Sequence, residues 1–182
     1  SQNWNTVVKI TGCYNTGSIS AKDRAAGIIG RYNASDPEIV HCYNTGAITS
    51  EDYATGIYAG SSSKISNCYT AGRIQGSDNS KTGAFTTSKH NELPTCYYLT
   101  ESIPETALTN GAIARTLAEM QSGLLDKLGT ENWKSVRGVN DSLPVLNWQK
   151  VSAPTAKVTL VSDAAFVRSV ITTEDGDKTS LP

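Results

Sequence analysis

Four cysteines stand at Cys13, Cys42, Cys68 and Cys96, each followed by a tyrosine, and His41 directly precedes Cys42. Cysteine beside histidine is what a thiol nucleophile needs, and four cysteines could instead make two disulfides or a zinc site. The spacing argues against the nucleophile and the metal. Neighbouring residues on a strand face opposite ways, so His41 cannot take the Cys42 proton directly. His90, near Cys96, is the other histidine, and the chain has no CxxC pair. Among the acids, glycoside cleavage would require two carboxylates about 5 to 10 Å apart, one of them with a raised pKa. Asp23 with Asp52 is the best such pair, but both sit among polar neighbours in loops. No catalytic and no metal-ligating residue is assigned.

The cysteines are 29, 26 and 28 residues apart, and this regular interval marks a stacked repeat. Three residues before each Cys comes Ile10, Ile39, Ile65 or Leu93; one after it comes Tyr14, Tyr43, Tyr69 or Tyr97. Gly17, Gly46 and Gly72 follow at four, and Ile19, Ile48 and Ile74 at six; the fourth copy lacks both. Each of the first three copies then carries a small-Gly-apolar run, at Ala26 to Gly30, Thr55 to Gly60 and Thr82 to Phe85. Short β-branched and aromatic runs predict two or three strands per copy, each pairing in parallel with its counterpart one repeat away. The Gly after Cys-Tyr is expected in a turn with φ > 0. The expected fold is all-β: a parallel β-helix of about four coils over residues 1–100.

Within this frame the cysteines and the flanking Ile slots point inward. The expectation is a ladder of buried thiols acting as small hydrophobes, with a disulfide between neighbouring rungs or a metal as the alternatives. Asn15 and Asn44 read as an amide ladder bonding turn backbone. If Cys points in, Tyr points out, which lines Tyr14, Tyr43, Tyr69 and Tyr97 into an aromatic row. Such a row could stack on sugar rings, or else cover the groove between coils. The loops Ser20 to Arg24, Thr49 to Tyr53 and Gln75 to Lys81 vary in length and carry Asp23, Glu51, Asp52 and Asp78 on one edge. That edge could be a sugar-binding rim or a calcium site; a solvated edge that blunts unpaired strands is the plainer reading. The candidate ligand-binding residues are therefore Tyr14, Tyr43, Tyr69, Tyr53, Asp52 and Asp23, with calcium the ion this edge could take and no cofactor expected.

After Cys96 the periodicity becomes helical, through Ile113, Leu117, Met120, Leu124, Leu125 and Leu128, with Thr109 or Asn110 available as N-cap and Gly129 as stop. This helix is expected to lie across the open end of the coil, with residues 101–150 as the cap; Trp133 and Trp148 could be a sugar platform, but beside apolar residues next to the helix they read as buried in the cap. Residues 151–182 read as a linker followed by strands at Lys157 to Val161 and Phe166 to Thr172, with a turn at Glu174 to Asp177. They suggest the start of another module or an extra strand pair.

A net charge of −1 and the absence of any Lys or Arg run give no electrostatic footprint for nucleic acid or an anionic membrane. No stretch reaches the roughly 20 apolar residues that span a bilayer. The chain reads as an excised piece of something longer.

With these pieces assembled, the chain resembles the GLUG-type repeat regions of bacterial cell-surface proteins. Those carry Cys-Tyr-Asn-Thr-Gly-x-Ile/Val and Ala-Gly-Ile-Ile/Val-Gly, then a helical segment, an Asn-Trp and a Pro-Val/Ile-Leu-x-Trp ending. Here the matching pieces are Cys42 to Ile48, Ala26 to Gly30, Ala112 to Leu128, Asn132-Trp133 and Pro144 to Trp148, over roughly residues 7–150. The fourth copy departs from the pattern. The resemblance implies a secreted or wall-attached protein, commonly of host-associated Gram-positive bacteria, beside adhesins, surface proteases or carbohydrate-active enzymes. It supplies no catalytic residues. The expected function is a non-catalytic extracellular surface module, a rigid spacer or an adhesion or carbohydrate-binding module, with glycan, host surface protein or neighbouring domains as partners. The alternative is a β-helix glycoside hydrolase or lyase.

Overall fold

The structure, a computed structural model, describes residues 8–31, 37–60, 63–88 and 92–154, and the backbone of three strands beyond them. The first repeat contributes four short strands: β1 Lys9–Thr11, β2 Tyr14–Asn15, β3 Ile19–Ala21 and β4 Arg24–Ala26. The second repeats the pattern with β5 Glu38–Val40, β6 Tyr43–Asn44, β7 Ile48–Ser50 and β8 Tyr53–Thr55. The third does so with β9 Lys64–Ser66, β10 Tyr69–Thr70, β11 Ile74–Gln75 and β12 Thr82–Gly83. Four strands per repeat replace the expected two or three, because the residues leading into or opening each small-Gly-apolar run form a strand of their own.

The repeat slots pair in parallel with their own counterparts, except at the third small-Gly-apolar run, where Thr82 and Gly83 lie one place back, against Ala54 and Thr55. Ile10 lies against Ile39 and Ile39 against Ile65; Tyr14 against Tyr43 and Tyr43 against Tyr69; Ile19 against Ile48 and Ile48 against Ile74; Ala25 against Ala54. The result is an all-β arrangement of parallel sheets with one helix, compatible with a β-solenoid-like fold. Ile39, Cys42, Ile48, Ile57, Cys68, Ile74, Phe85 and Cys96 form its inner core.

The four cysteines are free, and all but Cys13 are buried. They form a ladder in which the Cys13 N–H donates to Cys42 Sγ at 3.4 Å and the Cys42 N–H to Cys68 Sγ at 3.3 Å. Beside it, Asn15 Nδ2 donates to Asn44 Oδ1 at 2.8 Å and to Gly17 O at 2.7 Å, and Asn44 Nδ2 to Gly46 O at 2.9 Å. These rungs satisfy polar groups that the short strands would otherwise leave unpaired.

The fourth copy keeps only β13, Tyr97–Leu99, and the chain then returns as β14, Ile113–Arg115, to pair with it. The helix expected from Ile113 therefore starts later, as α1 Leu117–Leu128. Thr116, not Thr109 or Asn110, is its N-cap, in a capping box with Glu119, and Gly129 ends it as expected. The four-residue step from Ile113 to Leu117 imitates a helical turn but straddles a strand and a cap. Its position differs too: β14 pairs with the last strand, whereas α1 buries Met120, Leu124 and Leu128 in a second core with Tyr43, Tyr69 and Tyr97. That core also takes in β15 Trp133–Lys134 and β16 Val145–Leu146, an antiparallel pair with Trp133 opposite Leu146. Three further strands, β17 Lys157–Asp163, β18 Phe166–Thr172 and β19 Lys178–Ser180, form an antiparallel sheet. The turn at Glu174 to Asp177 lies outside the described residues.

Burial in these cores opposes ionisation. It raises the Cys68 thiol and the Tyr69 phenol well above their usual values and pushes Tyr43 up to about 12. Folding thus favours the protonated forms, so their contribution is complete below the ordinary thiol and phenol values and is lost as pH climbs towards about 12. The unfolding free energy from urea titrations should hold from about pH 7 to about pH 8.5 and then fall, by up to ~1.4 kcal/mol per pH unit for each group involved, and the urea midpoint with it. A midpoint unchanged through that alkaline range would contradict the burial of these groups.

Candidate functional site

The tyrosine row does point away from the inner core, as strand alternation requires. It is not an open platform. Tyr43 and Tyr69 are 1% and 0% exposed, because the segment from α1 to β16 supplies apolar side chains that lie over the row. The rings of Tyr43 and Tyr69 stack at 5.0 Å and 2°, and those of Tyr14 and Tyr43 at 5.2 Å and 14°. Trp133 leans across two of them, 5.9 Å from Tyr43 at 50° and 5.6 Å from Tyr69 at 49°. Their hydroxyls are also engaged. Gln149 Nε2 donates to Tyr43 Oη at 3.0 Å; Tyr69 donates to Pro144 O at 2.5 Å and accepts from Asn140 Nδ2 at 2.7 Å. The expectation that Tyr43 and Tyr69 present faces to a ligand is corrected: the row's covering comes from sequence far away in the chain.

Tyr14 is the exception. At the end of the stack it is 41% exposed, and Trp148, expected in the cap interior, is 62% exposed beside it. The two rings lie 5.8 Å apart at 47°. Trp148 is held out by anchored neighbours. Asn147 Nδ2 donates to Thr130 O and Glu131 O at 2.9 and 2.8 Å. Gln149 Oε1 accepts from the Leu146 N–H at 2.7 Å, and Lys134 Nζ donates to Gln149 O at 2.5 Å. Between them the Trp148 indole N–H donates to Gly12 O at 3.2 Å, fixing the ring against the first repeat.

The edge residues form a separate cluster. The Tyr53 ring lies between the Arg24 guanidinium at 4.3 Å and the Lys81 ammonium at 5.4 Å from its centroid. Asp52 holds Lys81 at 2.5 Å, which raises the lysine's pKa, and Asp23 faces Arg31 at 3.6 Å and Arg24 at 3.8 Å. Asp78 accepts from the Ser80 hydroxyl and from the Ser80 and Lys81 N–H groups, and these bonds, led by the hydroxyl, lower its pKa. Each of these three carboxylates is thus engaged by groups of its own chain. Among the described residues no three His, Cys, Asp or Glu side chains converge as metal ligands would.

His41 turns from the inner core towards the C-terminal segment: its Nε2 lies 3.3 Å from Asn132 Nδ2 and its ring is edge-on to Trp133 at 6.5 Å. Burial lowers its pKa. His90 lies outside the described residues. The residues before the first three cysteines, Gly12, His41 and Asn67, all take positive φ, at 65°, 53° and 49°. Gly and Asn are the types that tolerate this region most readily, and His is also enriched there.

No family model, curated protein or solved structure matches this chain.

Proposed function

We propose that this chain is a non-catalytic extracellular module of a bacterial surface protein, a β-solenoid of GLUG-type repeats closed by a helical cap and serving as a rigid spacer. One observation carries the reading: the repeated Tyr slots are spent on a second core that joins repeats to cap. Tyr43 and Tyr69 hydrogen-bond across sequence separations of 106 and 75 residues. Such long-range ties lock the first hundred residues to the next fifty as one body. With spin labels on the exposed Thr49 and Lys127, the interspin distance distribution should show one narrow peak. A broad or bimodal distribution would sink the spacer reading.

The hydrolase or lyase alternative rests on Asp23 and Asp52. Against it stands the engagement of both carboxylates by cations of their own chain, Asp23 by Arg24 and Arg31 and Asp52 by Lys81. Turnover of any polysaccharide, lost in Asp52→Asn, would reverse this preference. The edge carboxylates as a calcium site meet the same objection.

A further inference from the structure

We propose that the cleft between the β13–β14 pair and α1 binds a small monocarboxylate with a hydroxylated, ring-sized body, the chemistry of a sugar acid. This goes beyond the spacer reading and does not depend on it. The cleft has a volume of about 250 Å³. Tyr97 of β13 and Arg115 at the end of β14 form one wall; Glu119, Gly123 and Lys127, at four-residue intervals along α1, form the other. Residues at that spacing share one helix face. Drug-sized ligands occupy pockets of roughly 300 Å³ and more, so this cleft suits a single ring.

Two features of the cleft serve no packing purpose. The first is Gly123, in the interior of α1, where glycine is less favourable than alanine. A Cβ there would meet nothing within 4 Å, so the space above it belongs to the cleft. The second is the Tyr97 hydroxyl. Tyr97 continues the row of Tyr43 and Tyr69, whose hydroxyls are bonded to Gln149 and to Pro144 and Asn140. Among the described residues the Tyr97 hydroxyl has no hydrogen-bond partner, although Tyr97 is only 7% exposed.

Charge selects the occupant's sign. Arg115 and Lys127 make no ion pair among the described residues. Glu119, the carboxylate of the cleft, is turned to its own helix end: its Oε2 accepts from the Thr116 N–H at 2.8 Å and from the Thr116 hydroxyl at 3.0 Å. These bonds, led by the backbone one, lower its pKa. Two cations beside one engaged carboxylate leave a positive excess that a single carboxylate on the ligand would balance. The Arg115 guanidinium gives one N–H to Ala114 O at 3.2 Å and keeps others for that carboxylate. Leu124, nearly fully buried, and the Tyr97 ring offer an apolar floor for C–H groups. Ser122 donates to Ala118 O at 2.8 Å and keeps lone pairs that can accept from a ligand hydroxyl, as the Tyr97 phenol can. A bare anion would leave the floor and hydroxyls unused, and a neutral sugar would leave the charge unbalanced. One ring with one charge pairing corresponds to a Kd on the order of 1 mM.

The test is an NMR titration of the intact chain with D-glucuronate, following the Arg115, Ser122 and Gly123 amides. Saturable shifts are expected, with binding about tenfold weaker for glucose, which lacks the charge, and about tenfold weaker for acetate, which lacks the body. Gly123→Leu fills the cleft with a better helix former, so it should melt no lower than the parent and bind about tenfold more weakly or worse. Tyr97→Phe keeps the ring, loses the hydroxyl and should bind about threefold more weakly. No shift with glucuronate, equal binding of glucose or acetate, or undiminished binding by Gly123→Leu would overturn the proposal. Tighter binding of N-acetylglycine than of glucuronate would overturn it too, by assigning the cleft to a peptide carboxylate. Should a variant fail to fold, the parent's shifts with the four ligands decide. The interspin distances are measured without ligand and stand apart from every one of these outcomes, so the two readings fail separately.

Discussion

Gly46→Ala should lower the unfolding free energy by about 3 kcal/mol or more, while Gly17→Ala, the same slot one repeat earlier, should stay within about 0.5 kcal/mol. A Cβ on Gly46 would lie 2.0 Å from Gly17 O and 2.6 Å from Asn15 Nδ2. Neither can move without breaking the amide ladder or the parallel register. A Cβ on Gly17 would meet nothing closer than Asn15 Oδ1 at 3.8 Å. Gly72 repeats the crowding, 2.0 Å from Gly46 O. The slot was expected to need glycine for a positive φ, yet Gly17, Gly46 and Gly72 are not among the described glycines with positive φ. The requirement comes from the carbonyl of one repeat resting on the Cα of the next. Urea denaturation of the two variants side by side checks it, and equal effects would contradict the stacking.

Trp133→Ala should cost about 3 to 5 kcal/mol and loosen the second core from the tyrosine row. Trp133 is fully enclosed, touches both Tyr43 and Tyr69, and pairs through its backbone with Leu146. Removing it opens a void between the stacked rings and the residues that seal them. Trp148→Ala, by contrast, removes a largely exposed side chain and should leave the melting temperature nearly unchanged. Thermal melts of the two variants give the contrast directly.

Both tryptophans follow an asparagine, at Asn132-Trp133 and Asn147-Trp148, and the local sequence gives no reason to separate them. Trp133 is buried because β15 pairs it against Leu146; Trp148 lies two residues past Leu146, in the following turn. The same limit explains the tyrosines. Their slot, their direction and the thiol and amide ladders beside them were legible because each is repeated, and repetition reports stacking. Their covering depends on α1, β15 and β16, which have no counterpart elsewhere in the chain. The end of α1 was legible because Gly129 is a local stop, but its start was not, because Ile113 continues the apolar spacing backwards into β14. On the edge, acidic residues were visible in sequence; the pairing of Asp23 with Arg24 and Arg31 is set by the turns of its own repeat, and that of Asp52 with Lys81 by turns from two repeats.

Among the described residues, the tyrosine row is a core sealed at Tyr43 and Tyr69 and exposed at Tyr14. Nitration of the folded protein by tetranitromethane, mapped by peptide mass spectrometry, tests it most directly. Tyr14 should be modified while Tyr43 and Tyr69 stay protected until the protein is unfolded. Nitration of Tyr43 or Tyr69 at the rate of Tyr14 in the folded protein would mean that the row lies open, and the account would be wrong.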